Sequence, residues 1–419
     1  MSGKDGVRQR RSGNSSPEQR SVGEEEAIKK ASNGWIRAFF IAVVLALFIP
    51  IFIMLLLPCP IEPLEISGLT DRPELTGVLK PNNLLHLCEK LYQNHLEGPE
   101  SIEIDGEHIY TGTADGWVKH IHKGEVQNLV RFGTPPCGGI MNENTCGRPL
   151  GMRMSKDGFL IVIDAYYGLY KVNVATGDYT LLVSAKTPVN GRPLKFVNDL
   201  DFGHDGKIYF TDTSSRWHRN QFMNVVFEGS ATGRLLVYDP VTGDVKQLMD
   251  GFLFANGVQL TKDKKSVLVS DTMAGRIYRY ILQSGDTVVW ADNLPGLPDN
   301  IRYCLTSGTY WVGFAGVRQA GKFSIVDSLA SHPWIRGILA KVVTVSNFPT
   351  VAKHLSSTDT KAITLEMSED GKILRSLQDS TGAALHGASQ VSCADGALYF
   401  GSFHSTYLSR LYKKKIPGF

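Results

Sequence analysis

Surplus charge, zinc-type cysteine spacing and ordinary glycosylation sites are all scarce in this chain of 419 residues. Lys and Arg number 44 against 41 Asp and Glu, a formal net charge of +3, which gives no reason to expect nucleic acid as a partner. Six cysteines are present, yet no two have the C-x-x-C spacing of a zinc site. Beyond residue 58 there is no Asn-x-Ser/Thr. Asn144-Thr145-Cys146 is the rarer cysteine form of that sequon, and a disulfide at Cys146 would compete with a glycan there.

The first 34 residues have almost no large apolar side chains and cannot offset chain entropy by burial, so residues 1–37 are expected to form a disordered tail. Between Ala38 and Leu57 it is charge that is missing altogether. Those 20 residues, AFFIAVVLALFIPIFIMLLL, are long enough to cross a bilayer as a helix, and Pro50 is tolerated in such a setting. The long preceding tail and the lack of a small-residue cleavage pattern speak against a cleaved signal peptide. Lys29, Lys30 and Arg37 precede the span, whereas Glu62, Glu65, Asp71 and Glu74 follow it. Positive residues stay in the cytosol. The expectation is a single-pass, type II signal-anchor over residues 38–57, with a cytosolic tail and a stalk over 58–87. Everything after that would be luminal or extracellular, at the plasma membrane or endoplasmic reticulum.

What is abundant is a repeat. GPESIEIDG (98–106), RPLGMRMSKDG (148–158), FVNDLDFGHDG (196–206), FANGVQLTKDK (254–264), PDNIRYCLTSG (298–308) and HGASQVSCADG (386–396) each run into a turn followed by a β-prone strand. Their matched turn positions are Gly106, Gly158, Gly206, Lys264, Gly308 and Gly396, about one per 50 residues until a longer last gap. That period predicts an all-β, six-bladed β-propeller over residues 88–419. The last gap holds a helical insertion near 323–356. There, FSIVDSLASHPWIRGILAKVV (323–343) reads either as a lid packed on the propeller or as a second membrane contact through Trp334, Ile335, Ile338 and Leu339. Among the cysteines, Cys137 and Cys146 flank a Gly-Gly turn and are expected to pair. A Cys88–Cys393 bridge would staple the ends of the ring, leaving Cys304 as a buried thiol.

At the position before each inner strand the six repeats carry Glu100, Leu150, Asn198, Asn256, Asp299 and His386. Arranged about one axis, these side chains converge. Two carboxylates, Glu100 and Asp299, with the amide oxygens of Asn198 and Asn256 and a possible fifth ligand in Asn300, are hard oxygen donors suited to Ca²⁺ rather than Zn²⁺. His386 closes the ring as the candidate for proton transfer. Trp217, His218 and Arg219 sit in a loop that could line the pocket.

The pattern GPE…VNDL…ANGV…PDNI resembles the calcium-dependent propeller hydrolases: paraoxonases, squid-type organophosphatases and gluconolactonases. CGRPLGM (146–152), its paired cysteines and FTDTSSR (210–216) are still more similar to the strictosidine synthase-like branch, and the resemblance covers roughly residues 60–415. It implies that Glu100, Asn198, Asn256, Asp299 and Asn300 hold a catalytic calcium acting as a Lewis acid on an ester, lactone or phosphoester oxygen. It also implies that Asp199 faces a deeper structural calcium, although the acid that paraoxonases place after the first Glu is Ser101 here. Two further departures bear on activity. No His lies between His122 and His204, so the paraoxonase histidine pair is missing. No acid lies between Asp379 and Asp395, so the synthase glutamate is missing too, which argues against Pictet–Spengler condensation. The expected function is hydrolysis of a small ester or lactone, of arylesterase or lactonase type. The alternative is a non-catalytic, calcium-stabilised propeller that binds a protein partner.

Overall fold

The computed structural model describes residues 17–343 and 361–419, in two compact units, Met1–Pro58 and Cys59–Phe419. In the first unit Pro17–Leu56 is one α-helix. Helix therefore begins well upstream of Ala38, and residues 17–37 are not the disordered segment expected. The sequence there sets Glu25 and Glu26 four residues before Lys29 and Lys30, a spacing that favours helix in water. Among the described residues no helix is long and apolar enough to cross a membrane. Residues 1–16 of the predicted tail lie outside the described residues.

The second unit is a six-bladed propeller of four-stranded antiparallel sheets. The innermost strands of blades I to VI are Ile102–Asp105, Pro149–Met154, Val197–Phe202, Ala255–Leu260, Gly296–Cys304 and Gln390–Ala394. Each enters a turn whose matched residue takes a left-handed φ: Gly106 (58°), Gly158 (78°), Gly206 (77°), Lys264 (54°), Gly308 (69°) and Gly396 (69°). Glycine suits that conformation without steric cost; Lys264 accepts the strain. Second strands such as Ile208–Asp212 and Ser266–Asp271 are buried on both faces, hence their β-branched and aromatic content. Apolar clusters fill the six seams between neighbouring blades; between III and IV, for example, Leu235 and Phe252 meet Val258, Val267 and Val269. Near the axis the inner strands approach so closely that a Cβ on Gly257 would lie 2.5 Å from the Asp299 carbonyl oxygen.

Blade VI is completed by Glu89–Leu91, which pairs antiparallel with Leu408–Tyr412 in the register Glu89 to Arg410. This explains why the Cys88–Cys393 bridge is wrong. Cys88 adjoins the outermost strand of the blade and Cys393 lies on the innermost, roughly 14 Å away at ordinary strand spacing, beyond the reach of a disulfide. Cys393 instead pairs with Cys304 across the inner strands of blades V and VI, and Cys88 is free. Cys137–Cys146 pairs as expected. Residues 59–87 are a belt rather than a stalk. Ile61 and Ile66 pack with helical residues of the loops, Leu79 joins the blade IV–V cluster and Leu85 the blade V–VI cluster.

Because inner strands run away from the axial mouth and second strands return to it, loops after second strands gather at that mouth. The two long ones, in blades III and V, carry the helices Phe222–Glu228 and Pro333–Val342, packed together through Met223, Phe227 and Ala340. The insertion is thus a cap with a short extra turn at Ile325–Ser328; positions 344–356 of it lie outside the described residues.

Candidate metal centre

The six inner strands align through buried Ile102, Met152, Leu200, Val258, Ile301 and Val391, which puts Glu100, Leu150, Asn198, Asn256, Asp299 and Ser389 at one phase around the mouth. All six are buried. Ser389, not His386, is the sixth member: its Oγ donates to the Glu100 carbonyl at 2.6 Å and its carbonyl accepts the Asn300 N–H at 2.9 Å. His386 stands three residues earlier and is exposed, so it does not complete the ring.

Threonines at the ends of the second strands orient the two asparagines of the ring. Thr213 Oγ1 donates to the Ala255 carbonyl at 2.6 Å and accepts from Asn198 Nδ2 at 3.0 Å. One blade on, Thr272 Oγ1 donates to the Pro298 carbonyl at 2.7 Å and accepts from Asn256 Nδ2 at 3.1 Å. With its proton committed, each hydroxyl can only accept from the amide, so the amide nitrogen faces the threonine and the oxygen faces away. Asn300 Nδ2 likewise donates to Glu100 Oε1 at 3.1 Å. The oxygens left over are Glu100 Oε2, Asn198 Oδ1, Asn256 Oδ1, Asp299 Oδ1 and Asn300 Oδ1, every one buried and without a hydrogen-bond partner. Four orphaned acceptors at one phase of the ring, with a fifth on the adjacent Asn300, are the donor set of a hard cation. Burial raises both carboxyls above their ordinary range, Asp299 strongly, and the Glu100 charge raises Asp299 further; Arg148 draws Glu100 back. A bound cation would relieve that penalty. Among the described residues no three His, Cys, Asp or Glu side chains group as metal ligands, in keeping with a set built from two carboxylates and three amides.

A wall of Leu150, Ala165 and Phe196, flanked by Tyr166, Phe222 and Phe254, rises beside the ring. A groove of about 560 Å³ lined by His204, Lys207, Asp239 and Tyr280 lies at the opposite ends of the strands, away from these oxygens.

Comparison with known proteins places this architecture. The chicken adipocyte plasma membrane-associated protein is 46% identical over 380 residues, 90% of each chain. The Arabidopsis thaliana protein strictosidine synthase-like 3 is 32% identical over 86% of this chain and 97% of its own. Residues 77–121 match the family described as strictosidine synthase-like, N-terminal, and residues 198–285 that described as strictosidine synthase. The chain belongs to the strictosidine synthase-like family. Within this family it groups with relatives that carry the animal protein's name at 40–46% identity. A gluconolactonase structure from Xanthomonas campestris superposes with a TM-score of 0.51 at 16% identity, covering 85% of this chain and 99% of that one, which establishes a shared fold.

This strictosidine synthase-like chain departs from the wider resemblance below the ring. Asp199, expected at a deeper calcium, is held by Arg302, whose Nη1 and Nη2 reach its two oxygens at 2.7 and 2.9 Å. Val258 N–H adds a third bond at 2.8 Å. Arg302 Nη2 also donates to Gln390 Oε1 at 2.5 Å, which accepts from Ser101 Oγ at 2.8 Å. A guanidinium therefore fills the place where a second ion would need oxygen ligands, and the residues present do not fit one. Reading the sequence missed Arg302, Thr213 and Thr272. The threonines had a signal, since TDT (211–213) and SDT (270–272) recur at the same phase. His404 was missed as well. It follows the second strand of blade VI, where the loop bond from Ser402 Oγ to the His386 carbonyl (2.6 Å) ties the two histidine segments together. Crowding by protein, then the charges of His386 and Arg219, holds its imidazole below the usual range although water reaches the ring. Of the loop 217–219, Arg219 is the member that joins the site, paired with Glu143 at 2.5 Å.

Proposed function

We propose that this chain is a membrane-anchored, calcium-dependent hydrolase of esters or lactones, of arylesterase type. The observation that carries the reading is the set of five buried, unpartnered oxygens on Glu100, Asn198, Asn256, Asp299 and Asn300. Calcium bound there would supply Lewis-acid polarisation of the substrate's carbonyl oxygen. The chain's own residues do the rest. Leu150, Phe196, Phe222 and Phe254 hold the apolar body of the substrate and exclude water on one side. His404, kept neutral, and His386 beside it would accept and return a proton. For the anchor, Ala38–Leu57 is uncharged, and large apolar side chains from Phe39 to Leu57 stand exposed along it. The two disulfides suit an oxidising compartment outside the cytosol.

The test is turnover of phenyl acetate by the full chain in detergent, with and without a chelator, beside Asn256→Ala and Glu100→Gln. Loss of activity in all three cases is expected; activity indifferent to chelation and to both substitutions refutes the reading. The exposed Phe323 and Trp334 of the blade V insertion favour a second one, a calcium-stabilised propeller that docks a protein. Chelator-sensitive melting without turnover would select it.

A further inference from the structure

Arg148, from the CGRPLGM motif, is 1% exposed and under-used. Its Nη2 donates to the Gly98 carbonyl at 2.8 Å, while Nε and Nη1 have no hydrogen-bond partner. The carboxylate paired with it, Glu143, is 3.9 Å from Nε and is otherwise engaged: Oε1 takes Arg219 Nη1 at 2.5 Å and Oε2 takes the Tyr166 hydroxyl at 3.0 Å. Both guanidiniums are close enough to act on the Glu100 carboxyl. With calcium in the ring, Glu100 and Asp299 balance the ion, Glu143 balances one arginine, and Asp115, which also acts on Arg148, is taken by Lys119 at 2.9 Å. One buried positive charge, with two idle donor nitrogens, is left beside the apolar wall. Such a group is costly unless a ligand brings acceptors to it.

We propose that Arg148, with Arg219 next to it, is an anion subsite, and that the substrate is an ester or lactone bearing a second, negatively charged group, carboxylate or phosphate, joined to the reacting carbonyl by an apolar body. The inference rests on the hydrolase reading for the reacting end only. The fork of Arg148 suits the planar pair of oxygens on a carboxylate or the face of a phosphate. Leu150, two residues on, occupies the ring position without an oxygen, so the apolar span would cross that gap between the subsite and the metal ligands.

Calorimetric titration of the full chain in detergent with calcium would use 4-hydroxybenzoate and phenyl phosphate as anionic probes and phenol as the neutral one. At least one anion should bind roughly tenfold or more tighter than phenol, the worth of one charge-assisted hydrogen bond. Arg148→Gln should abolish that preference, while Arg148→Lys restores part of it through charge without the fork. The preference among the two anions identifies the group. Arg219→Gln, nearer the solvent, should narrow the preference as well and serves if Arg148→Gln does not fold. Anion and phenol binding alike in the parent protein, or an anion preference unchanged in the variants, overturns the subsite. In parallel, the kcat/KM ratio of 4-carboxyphenyl acetate to phenyl acetate should fall in the variants. No turnover of either ester would sink the hydrolase reading while the titration still decides the subsite.

Discussion

Replacing Arg302 by methionine would reveal what a guanidinium contributes beside the buried carboxylate of Asp199. Arg302 is 7% exposed, and Asp199, which it grips through two bonds, is wholly buried. Methionine keeps most of the volume but leaves Asp199 with the Val258 N–H and, at 3.8 Å, Arg153. Removing one partner of a buried ion pair costs about 3–5 kcal/mol because the other charge is stranded. An unfolding entropy of about 2.1 cal/mol/K per residue, summed over Cys59–Phe419, turns this into a fall of about 4–7 °C in melting temperature. Scanning calorimetry in saturating calcium would measure it. Combining Arg302→Met with Asp199→Asn should recover much of the loss, since neither charge is then stranded. An unchanged melting temperature in the single variant, or a second calcium in the native mass spectrum of the parent protein, would refute the reasoning.

Two further outcomes follow from hydrogen bonds. Thr272→Val removes the acceptor that orients the Asn256 amide, so calcium affinity in a chelator competition should weaken roughly 10- to 100-fold, as for other groups that align a metal ligand. Asp379 collects the N–H groups of Thr381, Gly382, Ala384 and Leu385 and the His86 ring. Burial would raise its carboxyl, but the Ala384 N–H, His86 and Thr381 outweigh it and hold the group well below the carboxylate range. A depressed carboxylate stabilises the fold above its unfolded value of about 4 and ceases to as pH falls through the folded value. Asp379→Asn should therefore cost roughly 1–2 kcal/mol at neutral pH, and urea titrations should show the gap to the parent protein closing in acid.

The propeller was legible because its period survives in residues with backbone reasons to recur. The turn glycines need a left-handed φ, and the inner strands need small or polar residues at the axis. The ring ligands were legible for the same reason, except in blade VI, where matching from His386 placed the frame three residues too early; Val391, buried like Ile301, marks the true register. The Cys304–Cys393 pairing depends on the side-by-side approach of the inner strands of blades V and VI, a contact between residues 89 positions apart that spacing alone does not reveal. Arg302 was hidden by its position, two residues beyond a ligand pair on a strand whose polar residues otherwise face the mouth. A long-range ion pair with Asp199 leaves no local pattern.

The joint between Glu89–Leu91 and Leu408–Tyr412 gives the ring a direction in time. A strand near the start of the propeller must wait until Leu408–Tyr412 is made before it has a partner, and Glu89 meets Arg410 across 321 positions. Until then its edge is open to other chains. A polypeptide stopped before Leu408 would lack the strand Leu408–Tyr412 and leave Glu89–Leu91 unpaired. Synthesis through the last blade is thereby built into the fold as a condition for closing the ring.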